Sequence, residues 1–459
     1  MTDDIYTVIE VFEHTLHELG ADVPPGDVQR LAELIYQAMM AEGRYYHCIE
    51  HALALCDPEF PIQTLAALFH DVVYFRIDDG FSDEVWMALQ AYLSPSTRGN
   101  QSYQIIGSIP VSDRNFHWVM EVFGWPADQD VPLNTGTNEF LSSLIMVNSL
   151  SGILCETTLL KIIAYIEATI PFRGTDENGL GPFEHLGLRI KAVCENFDVP
   201  MTWEEITETV HGAVRFANRD VENFAGYDVA GFLETTWKLL PETYPALRKG
   251  SEYTFNQYRL ALQGMLKFLQ SIQPEHVYHS FQGVPDQQEL NSKLQRTRRN
   301  LELSRRYIEL KVLTLAILEA LAVFSGGDSP VALFLGDISS ENHAEPELAS
   351  YLPKVERTNH GNEADSLFYQ LLLSGRKGLV DFSDLKTSPL ALVIYQRSEP
   401  HTIAHYLETA YQWFDNQLQP REFLQSLEPM LLSIITQACE KMAPSRAETL
   451  KVFSMEITQ

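Results

Sequence analysis

RYYHCIEHALALCDPEFPIQTLAALFHDVVY, running from Arg44 to Tyr74, is the stretch from which the rest of the chain is read. It carries His47, His51 and the dipeptide His70-Asp71. His47 and His51 are four positions apart, so a helix over Arg44–Leu55 would set both on one face. Leu65 to Phe69 is apolar almost all round, the pattern of a buried helix, here expected over Leu65–Tyr74. His70 and Asp71 follow inside that run, where an unpaired carboxylate is costly to bury. A divalent cation would supply the missing charge, and imidazole with carboxylate is the usual ligand chemistry for zinc, iron or manganese.

Outward from this stretch the pattern is helical. Ile5, Val8, Ile9, Phe12, Leu16 and Leu19 form one apolar stripe, and Leu31, Leu34, Ile35, Ala38 and Met39 a second behind a cap at Asp27. Ser82 caps a further helix. Residues 94–137 lose the helical period and gain Pro, Gly, Ser and Asn. They read as an insertion or lid, with short strands near Tyr103–Ile109. Helices resume near Glu139–Leu150, Glu156–Ala168 and Glu184–Asn196. Pro171-Phe172-Arg173 reads as a turn or a pocket wall. Thr202 and Glu205 make a capping box for a helix that carries Ile206, Val210, Ala213 and Ala217 inward. Asp220 borders that stripe, an unusual place for a carboxylate unless something satisfies it.

A long helix is expected over Gln287–Phe324. Its first half bears Lys293, Arg296, Arg298, Arg299, Arg305 and Arg306, a basic face in an acidic chain. Pairing with the chain's own acids is the simple reading of that face; a second copy or an acidic protein partner is the sharper one. Val331–Leu335 and Leu390–Tyr395 look strand-like, and helices return at Thr402–Gln417 and Glu422–Met442. The expected fold is mainly α, with a domain over 1–290 and a mostly helical accessory domain over 291–459.

The chain has 459 residues, 45% of them hydrophobic, and a formal net charge of -29. That charge argues against general binding of nucleic acid or anionic membranes, but a small phosphorylated substrate is compatible with it, because a bound metal inverts the local field. The five cysteines (Cys48, Cys56, Cys155, Cys194, Cys439) are scattered, without a CxxC pair, so a cytoplasmic setting is expected. The acidic start MTDDIY lacks a signal-peptide pattern, and Val312–Phe324 is too short and too interrupted to span a bilayer.

Y-H-x-x-x-H, an apolar run and H-D together resemble the HD superfamily of metal-dependent phosphohydrolases. Tyr46-His47-Cys48-Ile49-Glu50-His51-Ala52 is most similar to its cyclic-nucleotide phosphodiesterase-like branch. The resemblance covers roughly residues 40–93, and A-N-R-D-V-E-N-F around Asp220 is loosely similar to the family's distal Asp segment. It implies an HD-type helical bundle core. It implies that His51, His70, Asp71 and Asp220 ligate one or two divalent ions (zinc, iron, manganese or magnesium), and that His47 is the proton donor. Asp198 and Asp228 are rivals to Asp220. Glu50 or Glu84 would orient the ligand imidazoles, and Arg44, Arg215 or Arg219 would neutralise substrate phosphate. The chain has Cys48 where phosphodiesterases carry Asn and lacks their downstream His-Pro-Gly, so a phosphomonoester is as compatible as a cyclic nucleotide. The expected activity is hydrolysis of a small phosphate mono- or diester. The alternative is a non-catalytic nucleotide-binding regulator or scaffold on the same fold. The pairs His276/His279 and His401/His405 lack a following H-D and read as ordinary residues.

Overall fold

A computed structural model describes residues 3–78, 80–95, 103–106, 109–110, 112–125, 136–336, 347–354, 363–376 and 388–457. The described residues are mainly helical, with one two-stranded sheet. They fall into two compact units: 1–225 with 272–297, and 226–271 with 298–459. The segment 226–271, which the sequence reading places in the first domain, therefore belongs to the second unit. No helix among the described residues is long and apolar enough to cross a membrane.

The first unit is built around one short buried helix. Its first helices are α1 (Asp3–Glu18), α2 (Pro25–Met39), α3 (Ile49–Leu55) and α4 (Pro61–Phe69). Every residue of α4 from Gln63 to Phe69 is buried, as its all-apolar run requires. Pro61 starts it, its fixed φ suiting the first helical position. The helix is shorter than the expected Leu65–Tyr74. It ends at Phe69, and His70 is its C-cap. Helix α3 is shorter still. Residues 45–48 form bends rather than helix, and Cys48 is the N-cap, so His47 is not on the face of His51. Asp27, read as the cap of α2, lies in its first turn instead, behind Pro24.

After α5 (Asp83–Leu89), capped by the Ser82 hydroxyl, strands β1 (Leu93–Pro95) and β2 (Tyr103–Ile105) pair antiparallel with Leu93 opposite Ile105. Then come α6 (Arg114–Phe123), α7 (Thr137–Leu150), α8 (Glu156–Ala168), α9 (Pro182–Phe197) and α10 (Trp203–Asp220). Helix α6 lies within the segment read as a lid, yet it buries Phe116, Trp118, Val119 and Val122 and packs on α7, α8 and α9. The buried face of α6 is therefore core; residues 96–102, 107–108, 111 and 126–135 lie outside the described residues. Helix α4 is enclosed by α1, α3, α7, α8 and α10. In α8 the buried Glu167 carboxylate accepts from Arg173 Nη1 and Arg189 Nη2, each at 2.6 Å, tying the Pro171–Arg173 turn and α9 to the core. A buried carboxylate shared by two guanidinium groups is well satisfied, so Arg173 has a structural task whatever else it lines.

The second unit contains α11 (Val229–Thr243), α12 (Phe255–Ser271), the later part of α13 (Gln287–Gly326) and helices between 363 and 457. Arg259 on α12 pairs at two points with the buried Glu319 of α13, at 2.6 and 3.2 Å. Both strand-like runs are helical here, over Ala332–Leu335 and Pro389–Arg397. Short apolar runs look alike in buried strands and buried helices, and Pro389 at a helix start is the signal that separates them.

The basic face of α13 is largely occupied within each unit. In the first, Lys293 pairs with Glu222, and Arg296 donates to the Ala225 carbonyl at 2.6 Å. In the second, Arg299 donates to the Tyr227 carbonyl at 2.8 Å, Arg305 to the Leu269 carbonyl at 3.0 Å, and Arg306 pairs with Asp365 at 2.9 Å. Backbone carbonyls therefore share this charge with the chain's own acids.

Candidate metal centre

Three helix ends bring the candidate ligands together. His51 lies in the first turn of α3, His70 caps the C-terminus of α4 with Asp71 next, and Asp220 is the last residue of α10. Ligand atoms of His51, His70 and Asp220 all lie within 4.8 Å of one another. His51 Nε2 is 3.0 Å from Asp220 Oδ1, and His70 Nε2 is 3.7 Å from the same oxygen and 3.1 Å from Asp71 Oδ2. Phe216, one turn before Asp220, meets the His70 ring edge-on at 6.1 Å and walls the cluster on the α10 side. Asp220 reaches the cluster because α10 keeps helical phase through Phe216 to its final residue.

The local chemistry fits a divalent cation. His70 Nδ1 lies 2.8 Å from the Ala67 carbonyl. A carbonyl only accepts, so Nδ1 carries the proton and the lone pair of the neutral ring is left on Nε2. That buried Nε2 makes no aligned hydrogen bond, although two carboxylates lie close by. An orphaned acceptor facing two anions is the arrangement a cation satisfies. Asp71 and Asp220 also sit at the C-termini of α4 and α10, where helix dipoles add partial negative charge.

Without a cation a proton takes its place. Burial alone would lower the His70 pKa, but the charges of Asp71 and Asp220 outweigh it and push it up to about 9. Burial would raise the Asp71 carboxyl; the charge of His70, with His47 and His51 behind it, holds it below the usual carboxylate range instead. The His70 contribution to stability is therefore complete below its ordinary value of 6.5 and is lost as pH rises through about 9. The Asp71 contribution is present above its ordinary value of 3.8 and is lost as pH falls toward its depressed value. Chelator-treated protein is expected to unfold at lower denaturant at about pH 9.5 than at about pH 6, by on the order of 2 kcal/mol. A midpoint that stays constant or rises over that interval would contradict this placement of charge.

His47 stands beside the cluster rather than in it. Its ring stacks on Tyr74 at 4.5 Å and lies 6.2 Å from the His51 ring. The other residues singled out from sequence separate as follows. Arg44 is buried and turned inward, so it does not face a substrate. Arg219 pairs with Asp57 at 3.2 Å, and Arg215 is exposed on α10. Glu50 and Glu84 are both exposed; the Ala67 carbonyl, a backbone group no side-chain pattern announces, orients His70 in their stead. Of the rivals to Asp220, Asp198 is the exposed left-handed C-cap of α9 and Asp228 caps α11 through the Ala230 N–H. His401 and His405 are exposed, and His279 is bound through its backbone to the Asn218 side chain.

Sequence reasoning missed Glu139. It lies in the first turn of α7, where burial, with the Asp71 charge adding to it, pushes its carboxyl up to about 7. An acidic residue in a first turn is ordinary helix chemistry, so nothing in the sequence marks it out. A cavity of about 480 Å³ between Ile105, Phe116, Met120 and Trp125 contains none of the cluster. Convergence of titratable side chains locates the centre here, not empty volume.

Compared with protein-family models, curated proteins and solved structures, the chain matches none.

Proposed function

We propose that the chain is a metal-dependent phosphohydrolase with an HD-type helical core, acting on a small phosphate mono- or diester. The observation that supports this best is the convergence of His51, His70 and Asp220 within 4.8 Å, with Asp71 against His70. These four residues would hold the ion, whether zinc, iron, manganese or magnesium, and Asp71 has a second oxygen to offer a second ion. A bound divalent ion supplies Lewis acidity toward a phosphoryl oxygen and acidifies water. The rest falls to the chain. His47, stacked on Tyr74, holds a proton for the leaving oxygen, a task imidazole chemistry suits. Phe216 closes one side of the cluster to water and keeps its field local. Arg215 and Arg219 on the last turns of α10 are the remaining candidates to meet substrate phosphate, Arg219 only by leaving Asp57.

The chain's charge of -29 favours a small ester over a phosphate polymer. The test sets mononucleotides, cyclic nucleotides and simple phosphomonoesters against single- and double-stranded nucleic acid, at physiological salt, with each metal added in turn. Metal-dependent turnover of a small ester is the expected result. Tight nucleic-acid binding or nuclease activity without small-ester turnover would overturn the proposal. Nucleotide binding without any turnover would favour the regulator or scaffold reading.

A further inference from the structure

Arg44 would pass in sequence for a substrate-binding cation, since it lies three residues before His47. Its side chain is wholly buried. Nε donates to Asp78 Oδ1 at 2.8 Å and Nη2 to Asp78 Oδ2 at 2.6 Å. Nη1 donates to the Asp71 carbonyl at 2.6 Å and the His47 carbonyl at 3.4 Å, and Nη2 also to the Val72 carbonyl at 3.3 Å. A guanidinium has five N–H donors, and these are five contacts, so none is left for a phosphate.

The contacts fall on segments that helices do not hold. His47 precedes the N-cap of α3, and Asp71 follows the C-cap of α4. Residues past a helix end have carbonyls without intrahelical partners, and their geometry depends on what else binds them. Arg44 takes up the carbonyls of His47, Asp71 and Val72 together. Asp78 fixes the fork from the far side and also accepts from the Tyr74 N–H at 3.3 Å, the residue on which His47 stacks. The planar fork suits this task better than an ammonium, because its donors are rigid relative to one another.

We propose that Arg44, held by Asp78, is a positioning residue that sets His47 relative to Asp71 through their backbone carbonyls and binds no substrate. This rests on the metal-centre reading above. It assigns the pair a role at a distance: Arg44 touches neither the ion nor the ester, yet the register of proton donor and ligand depends on it.

The test uses full-length, chelator-treated protein titrated with cobalt(II) alone, reading the affinity and the visible absorption bands that report ligand geometry. Arg44→Lys keeps the charge and loses the fork; Asp78→Asn keeps the shape and loses the anion. Circular dichroism and thermal melting establish that each variant is folded. Hydrogen–deuterium exchange of segments 45–48 and 71–75 is measured without metal. Both variants are expected to bind cobalt ~10–100-fold more weakly, with altered bands, unchanged helix content and faster exchange in those segments. Wild-type affinity and bands in both folded variants would overturn the positioning role and leave the metal centre standing. If the wild type takes up no cobalt, the metal-centre reading falls, and exchange unchanged from wild type in both variants would overturn the positioning role separately.

Discussion

Asp71→Ala is expected to emerge from purification without the stoichiometric divalent metal and the phosphoester turnover that the proposed function expects of the wild type. Asp71 is buried, its Oδ2 lies 3.1 Å from His70 Nε2, and the positive charge around it holds it ionised. Removing it leaves His51, His70 and Asp220 with a single carboxylate, one anion short of balancing a divalent ion. Losing a ligand should cost more than the ~10–100-fold typical of an outer hydrogen-bond partner. If the ion supplies several kcal/mol of transition-state stabilisation, turnover falls by a factor on the order of 10³ or more. Elemental analysis of both proteins, prepared identically, checks it. Equal metal in wild type and variant would remove Asp71 from the site.

The second large effect separates the proposed proton donor from the proposed ligands. His47→Ala is expected to retain full metal and lose ~10²–10⁴-fold in turnover, the usual contribution of a general acid. The His47 ring lies 6.2 Å from the His51 ring and is placed by stacking on Tyr74. Metal analysis with steady-state kinetics on the same preparation tells the outcomes apart. Loss of metal would make His47 a ligand. Retention of both metal and turnover would place the donor elsewhere.

What could be read in the sequence was whatever is local and periodic. The all-apolar run ending at Phe69 announced α4, and the Thr202–Glu205 box announced α10 with Asp220 at its far end. What could not be read depends on contacts distant in sequence or on weak end signals. Cys48 is not a residue type that marks an N-cap, so from sequence α3 reads as beginning at Arg44, with His47 on it. The inward turn of Arg44 depends on Asp78, and the coupling of Glu139 depends on α7 packing near Asp71; neither partner is implied by the residue's neighbours. The run Leu390–Tyr395 reads as a strand because burial of Leu390 to Ile394 on all sides erases periodicity. The membership of 226–271 in the second unit is likewise a matter of packing partners that no local pattern names.

Of the three helix ends at the cluster, those of α4 and α10 are C-terminal, and they carry the two candidate carboxylates, Asp71 and Asp220. The bare cluster is therefore negative twice over, in its side chains and in its helix dipoles, and an approaching phosphate ester is repelled by both. On the reading proposed here, occupancy by cation and affinity for ester are a single coupled equilibrium with positive cooperativity. Reciprocity then requires that the ester tighten the cation by the same factor by which the cation tightens the ester.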